Sequence, residues 1–281
     1  MIVPGGKTVT EMNKQAEEQE VQQRSSPSGK IVYKAILKEG EEELDRSSSA
    51  LFWSGLAAGL SMGFSMIAEG ILTSFLPDEH WRPLVAKFGY SAGFLIVILG
   101  RQQLFTENTL TPILPFLSGR AKATIANVLR LWSVVFVANM IGALAVALVA
   151  ALTNAFDADV RHAFSEMATK AIEPGFALVL LRGIFAGWLI ALMVWLLPFA
   201  ETARVWVIIL ITYLIGIGHF SHVIAGAVEV FTLAAMGETS WGSALGGYIL
   251  PSLIGNVIGG VTLVATLNHA QVVAGEGGQD V

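Results

Sequence analysis

His222 is the residue of this chain whose setting most suggests chemistry. It stands beside Ser221 within residues 213–231, where Gly216, Gly218, His219 and Gly226 interrupt an apolar run long enough to enter a bilayer. Lipid does not tolerate such a mixture on an exposed helix, so this backbone must be buried in protein or line a cavity. An imidazole there, with an ordinary pKa near about 6.5, can donate a hydrogen bond or a proton to a small anion. The competing role is structural, the ring satisfying carbonyls freed by a broken helix, and that role is the one expected of His219. Ionisable groups at membrane depth are functional candidates by default, which favours a solute path at His222.

A second interruption offers partners for it. Between residues 101 and 115 the apolar pattern gives way to Arg101, Gln102, Gln103, Thr106, Glu107, Asn108, Thr109, Thr111 and Pro112. Thr106 could turn a hydroxyl toward the same point, Leu104 and Phe105 could form an apolar gate, and Asn108 is a weaker polar candidate. Half-helix amino termini beside such breaks present free N–H groups and a positive dipole end, a setting for anions. Glu107 and Glu229 could tune the charge, Glu229 lying seven residues after His222 on the same helical face. Glu69, Arg101, Glu107, Arg182 and Glu229 would offset their burial by pairing among themselves. Lys170 is placed to draw anions into an outer vestibule.

The elements that must position these residues are membrane helices. The chain has 281 residues, of which 54% are hydrophobic and 14% charged, against about a quarter charged in soluble domains. Apolar segments fall at about 51–76, 88–117, 125–152, 175–199, 203–235 and 244–267, each near or above the length of about 20 residues that spans a bilayer. The second and fifth are the interrupted ones. Gly55-Leu-Ala-Ala-Gly59 is echoed by Gly183-Ile-Phe-Ala-Gly187, and Asn139-Met-Ile-Gly142 by Asn256-Val-Ile-Gly259. Two halves of three spans each must have opposite orientations. The expected fold is therefore an all-α polytopic membrane protein, an inverted 3+3 repeat with the second and fifth helices broken.

Residues 1–49 are expected to form a polar cytoplasmic tail, 50–268 the channel domain and 269–281 a short cytoplasmic tail. The acidic cluster Glu39, Glu41, Glu42, Glu43 and Asp45 is expected to be a solvated flank. Loop charges do not fix the orientation; Lys34, Lys38 and Arg46 place both termini inside. A net charge of −5 and mixed-sign tails give no sign of nucleic-acid binding, and the lack of cysteine removes thiolate chemistry and cysteine metal sites. No metal cluster, phosphate loop or catalytic triad order is present to suggest an enzyme, and no cofactor is expected.

The two interruptions resemble the formate/nitrite transporter family. Residues 100–108 are similar to its Gly-x-x-Leu-Phe-Thr-Gly-Asn motif, residues 218–225 to its Gly-Phe-Glu-His segment, and the run from Arg182 to its Arg-Gly-Ile-Leu-Cys-Asn-Trp-Leu-Val-Cys-Leu. The resemblance implies an aquaporin-like protomer of a homopentamer in a bacterial inner membrane, passing formate, nitrite or related monovalent anions with protons. It further implies that His222 is the pore histidine, Thr106 its threonine, Leu104 and Phe105 part of a constriction and Lys170 the vestibule lysine. The chain departs from the family's motifs at Ser221, Gly226, Ala186-Gly187, Gln103 and Glu107, which makes it a divergent member. A channel for water or small polyols, and a non-transporting scaffold or sensor, are the alternative readings at this point.

Overall fold

The longest apolar runs become the longest helices. In the computed structural model, which describes residues 29–121, 123–267 and 270–271, α1 (Gly29–Asp45) precedes α2 (Ser48–Phe75), α3 (Arg82–Ala86) and α4 (Ser91–Leu99). A 3₁₀ turn at Glu107–Thr109 and the short α5 (Ile113–Leu117) lead to α6 (Ile125–Leu152), α7 (Ala158–Ile172) and α8 (Phe176–Leu196). Then come α9 (Arg204–Ile217), α10 (Val223–Ala235) and α11 (Leu250–Ile258), the last flanked by π-helical turns at Ser243–Ile249 and Gly259–Thr266. No strand occurs among the described residues.

Among the described residues, five stretches are long and apolar enough to cross a bilayer: Ser48–Phe75, Arg82–Leu99, Ile125–Leu152, Phe176–Phe199 and Ser243–Thr262. The chain is a multi-pass membrane protein. The fifth segment, 203–235, expected to be interrupted, consists of two helices of 14 and 13 residues, each too short to cross alone.

Close helix approach follows from the small residues. On α2 and α6, a Cβ at Gly59 would fall on the Asn139 main chain and one at Gly142 on that of Leu56 and Leu60. On α8 and α11, a Cβ at Gly187 would fall on the Asn256 main chain and one at Gly259 on that of Ile184 and Trp188. Both pairs of helices thus cross with backbones in contact, the packing that small-residue ridges permit in lipid.

Two expectations are corrected outside the spans. The solvated tail does not extend to residues 29–45: α1 buries Tyr33, Ile36, Leu37, Gly40 and Leu44, spaced as one face of a helix. It packs on α5, α6 and α8 beneath the first interruption. Arg130 closes its carboxyl end, donating to the carbonyls of Leu44 (2.8 Å) and Arg46 (3.0 Å). The acidic cluster is correspondingly engaged, with Glu39 paired to Arg101 at 3.1 Å and Glu41 to Arg120 at 3.0 Å, and Glu43 turned inward onto Gln103 and Thr111. The connection before the fourth span, expected as a loop, holds α7, whose Val160, Ala163, Phe164 and Ala168 are buried. Residues 1–28, 268–269 and 272–281, where the outer parts of the two tails were expected, and Lys122 lie outside the described residues.

Candidate functional site

Both interruptions are built the same way. Helix α4 ends at Gly100 with Arg101 in the left-handed region at φ 51°, and α9 ends at Gly218 with His219 at the same φ. Non-glycine residues seldom adopt that conformation. Each turn is closed by main-chain bonds: Gly100 N donates to Ile96 O and Gln102 N to Val97 O, while Gly218 N donates to Leu214 O and Phe220 N to Ile215 O. The extended segments that follow are held by one buried asparagine each. Asn139 Nδ2 donates to Gly55 O (2.7 Å) and Gln103 O (2.9 Å), and its Oδ1 accepts from Phe105 N (2.9 Å). Asn256 Nδ2 donates to Gly183 O (2.8 Å) and Ser221 O (2.8 Å), and its Oδ1 accepts from Val223 N (2.9 Å).

This scaffold brings the sequence candidates together at one point. Thr106 Oγ1 and His222 Nε2 lie 2.7 Å apart, 116 residues distant in sequence. His222 is also the N-cap of α10, its Nδ1 accepting from Ala225 N at 3.1 Å. That bond fixes the tautomer: Nδ1 carries no proton, so Nε2 carries it and donates to Thr106. The imidazole is neutral in this arrangement, and a proton on Nδ1 would break the cap. The Phe94 ring meets the imidazole edge-on, centroids 4.9 Å apart. Thr106 and Leu104 are fully buried, and His222 and Phe105 are 1% and 3% exposed, so the layer is closed.

Two cavities flank this layer. One, of about 260 Å³, is lined by Lys87, Arg82, Lys170 and Arg182, by Glu69, Glu166 and Glu229, and by His219, Ser221 and Tyr248. The expected pairing among intramembrane charges is corrected here: Glu69 pairs at 2.5 Å with Lys87, which was not among those charges. The other cavity, of about 600 Å³, is lined by Glu39, Glu42, Glu43 and Glu107 against Arg46, Arg101 and Arg204. There Glu43 accepts hydrogen bonds from Gln103 Nε2 (3.1 Å) and from Thr111 Oγ1, and desolvation pushes its carboxyl up to about 7. Glu107 and Glu229 therefore sit on opposite sides of the closed layer.

Of the remaining candidates, Asn108 is turned away from the imidazole, donating to Gln103 Oε1 at 2.9 Å. Phe105 packs edge-on against Phe136 and Trp132, and Trp132 donates its Nε1–H to Asn108 O at 2.7 Å. The sequence echo picked out Asn139 and Asn256 without their anchoring role, and it pointed to neither Phe94 nor Tyr248 nor the docking of α1. The asparagines carried a signal: a buried amide in an apolar span must find hydrogen-bond partners.

Residues 30–270 match the model of the formate/nitrite transporter family, and the chain belongs to that family. It is 38% identical to the inner membrane protein YfdC of Escherichia coli over 86% of this chain and 78% of that one. A probable formate transporter of Methanothermobacter thermautotrophicus is 25% identical over 75% of this chain and 84% of its own length. Among solved structures, a pentameric formate channel with formate bound shares the fold at TM-score 0.70, with 19% identity over 80% of this chain and 98% of that chain.

Proposed function

We propose that the chain is a channel for small monovalent anions, formate, nitrite or a similar monocarboxylate, with His222 at its centre. One observation carries the reading: the 2.7 Å Thr106–His222 contact closes an apolar layer between two charged cavities. Lys170 and Arg182 gather the anion on one side. Entering the layer costs it hydration, which an imidazole N–H and the amino end of the 13-residue α10 offset. Because Ala225 N holds Nδ1, His222 offers the solute only a donor. An anion, an acceptor throughout, matches that donor by displacing Thr106 from Nε2.

The same reading takes the two asparagine-held interruptions as halves of an inverted six-span repeat, meeting at the midplane. It places the Lys170 cavity outside and the α1 cavity, with both termini, on the cytoplasmic side of a bacterial inner membrane. The pentameric neighbour supports a homopentamer with one path per protomer. Uptake of labelled formate into proteoliposomes across a pH gradient tests the reading: native protein carries formate faster from an acidic exterior into a neutral lumen, and His222→Ala does not. Equal flux in both would remove His222 from the path.

A further inference from the structure

The cavity bearing Lys170 is lined by Gly226 and Tyr248, at a place where one side chain stands in for another. Gly226 lies four residues beyond His222, in the first turn of α10, and both residues share a helix face. With no side chain of its own, it leaves a notch directly beside the buried imidazole. The notch is full: a Cβ at Gly226 would interpenetrate the Oη, Cε1 and Cζ of Tyr248. Tyr248 is 4% exposed, lines the cavity, and faces its hydroxyl toward those of Ser221 and Ser252. Ser221 in turn precedes His222 and gives its carbonyl to Asn256.

The backbone that delivers this ring is irregular. Ser243–Ile249 is π-helical, with Leu250 N reaching back to Leu245 O, and such turns are found mostly as single insertions at functional positions. The ring, the serine hydroxyl and the glycine thus come from separate segments and meet beside the break on the wall of this cavity.

We infer that Tyr248 is the specificity-determining residue at this mouth: its ring, seated against Gly226, sets the largest solute that reaches His222, and its hydroxyl with that of Ser221 forms a neutral polar lip. The class admitted is the smallest planar monovalent anions, those of formate and nitrite size. Monocarboxylates carrying a methyl or larger substituent meet the ring. The inference rests on the anion-channel reading above and adds a size limit to it.

Proteoliposome uptake of labelled formate, acetate and lactate by the full chain tests it. Tyr248→Ala raises the acetate-to-formate flux ratio by about tenfold or more, the discrimination typical of one methylene-sized difference in a pocket. Tyr248→Phe keeps the ring and keeps the native cut-off. Gly226→Ala, which adds bulk where the ring already sits, lowers formate flux, and Gly226→Ala/Tyr248→Ala restores it, the coupling expected of two groups competing for one space. A native channel that carries no formate overturns the channel reading and this inference together. Native formate flux with an unchanged ratio in Tyr248→Ala, or Gly226→Ala without effect, overturns the role of Tyr248 alone.

Discussion

Asn139 and Asn256 make the same three hydrogen bonds, each joining a glycine carbonyl on a neighbouring helix to the carbonyl and the N–H that flank a helix interruption. Both side chains are fully buried. Removing either leaves two carbonyls and one N–H without partners in an apolar interior, at about 1–3 kcal/mol for each group stranded. Asn139→Ala and Asn256→Ala therefore lower the melting temperature in detergent by comparable amounts, with Asn→Asp little better because it supplies no N–H donor. If one substitution were neutral and the other severe, the two interruptions would not share a mechanical basis.

This pairing also shows what the sequence made legible. The interruptions at Gly100 and Gly218 stood out because glycine followed by polar residues inside an apolar run is costly in lipid unless the helix breaks there within protein. The Asn139/Asn256 echo marked their anchors without saying what they bond. The docking of α1 was legible in part: Tyr33, Ile36, Leu37, Gly40 and Leu44 have helical spacing, yet they lie among charges, and the surface they cover exists only after α5 and the first interruption have folded. Gly226 stood out as a departure from the family's motif, but nothing local tied Tyr248 to it, since the two lie on different helices and their relation is shared space.

His222 has two duties that substitutions can separate. Asparagine is a strong N-cap and can accept from Ala225 N, but its shorter side chain does not carry a donor to Thr106. His222→Asn accordingly keeps thermal stability near native while flux falls. His222→Ala loses the cap as well, a further cost of about 1 kcal/mol. Melting curves and formate uptake measured on the same preparations check this; equal melting of the two variants would show that the Nδ1 cap carries no weight.

Glu43 makes the seating of α1 sensitive to pH. Its carboxyl titrates near about 7 when packed against Gln103 and Thr111, above its ordinary 4.5, with desolvation the main cause. A folded-state value raised in this way means the docked helix binds the proton more tightly than the free one. Docking is then most favourable below about 4.5 and weakens as pH rises through about 7. Amide exchange of residues 30–45 is expected to quicken between about pH 5 and about pH 8, and Glu43→Gln to flatten that dependence. A native profile that ran the opposite way would mean the carboxylate is the form the site prefers.

Lys87 neutralises Glu69 at 2.5 Å, and Glu69 is 3% exposed, with its second oxygen lacking a hydrogen-bond partner among the described residues. A pair this deep adds little net stability over an apolar equivalent, but deleting one member strands a charge. Lys87→Met leaves the carboxylate facing Glu229 across the cavity without its cation, and the expected loss is about 3 kcal/mol or more. Glu69→Gln in the same chain removes the stranded charge and recovers much of that loss, so the double variant melts above Lys87→Met. The ordering separates charge burial from packing: were the lysine's aliphatic stem the contribution that matters, methionine would replace it and Lys87→Met would melt like the native protein.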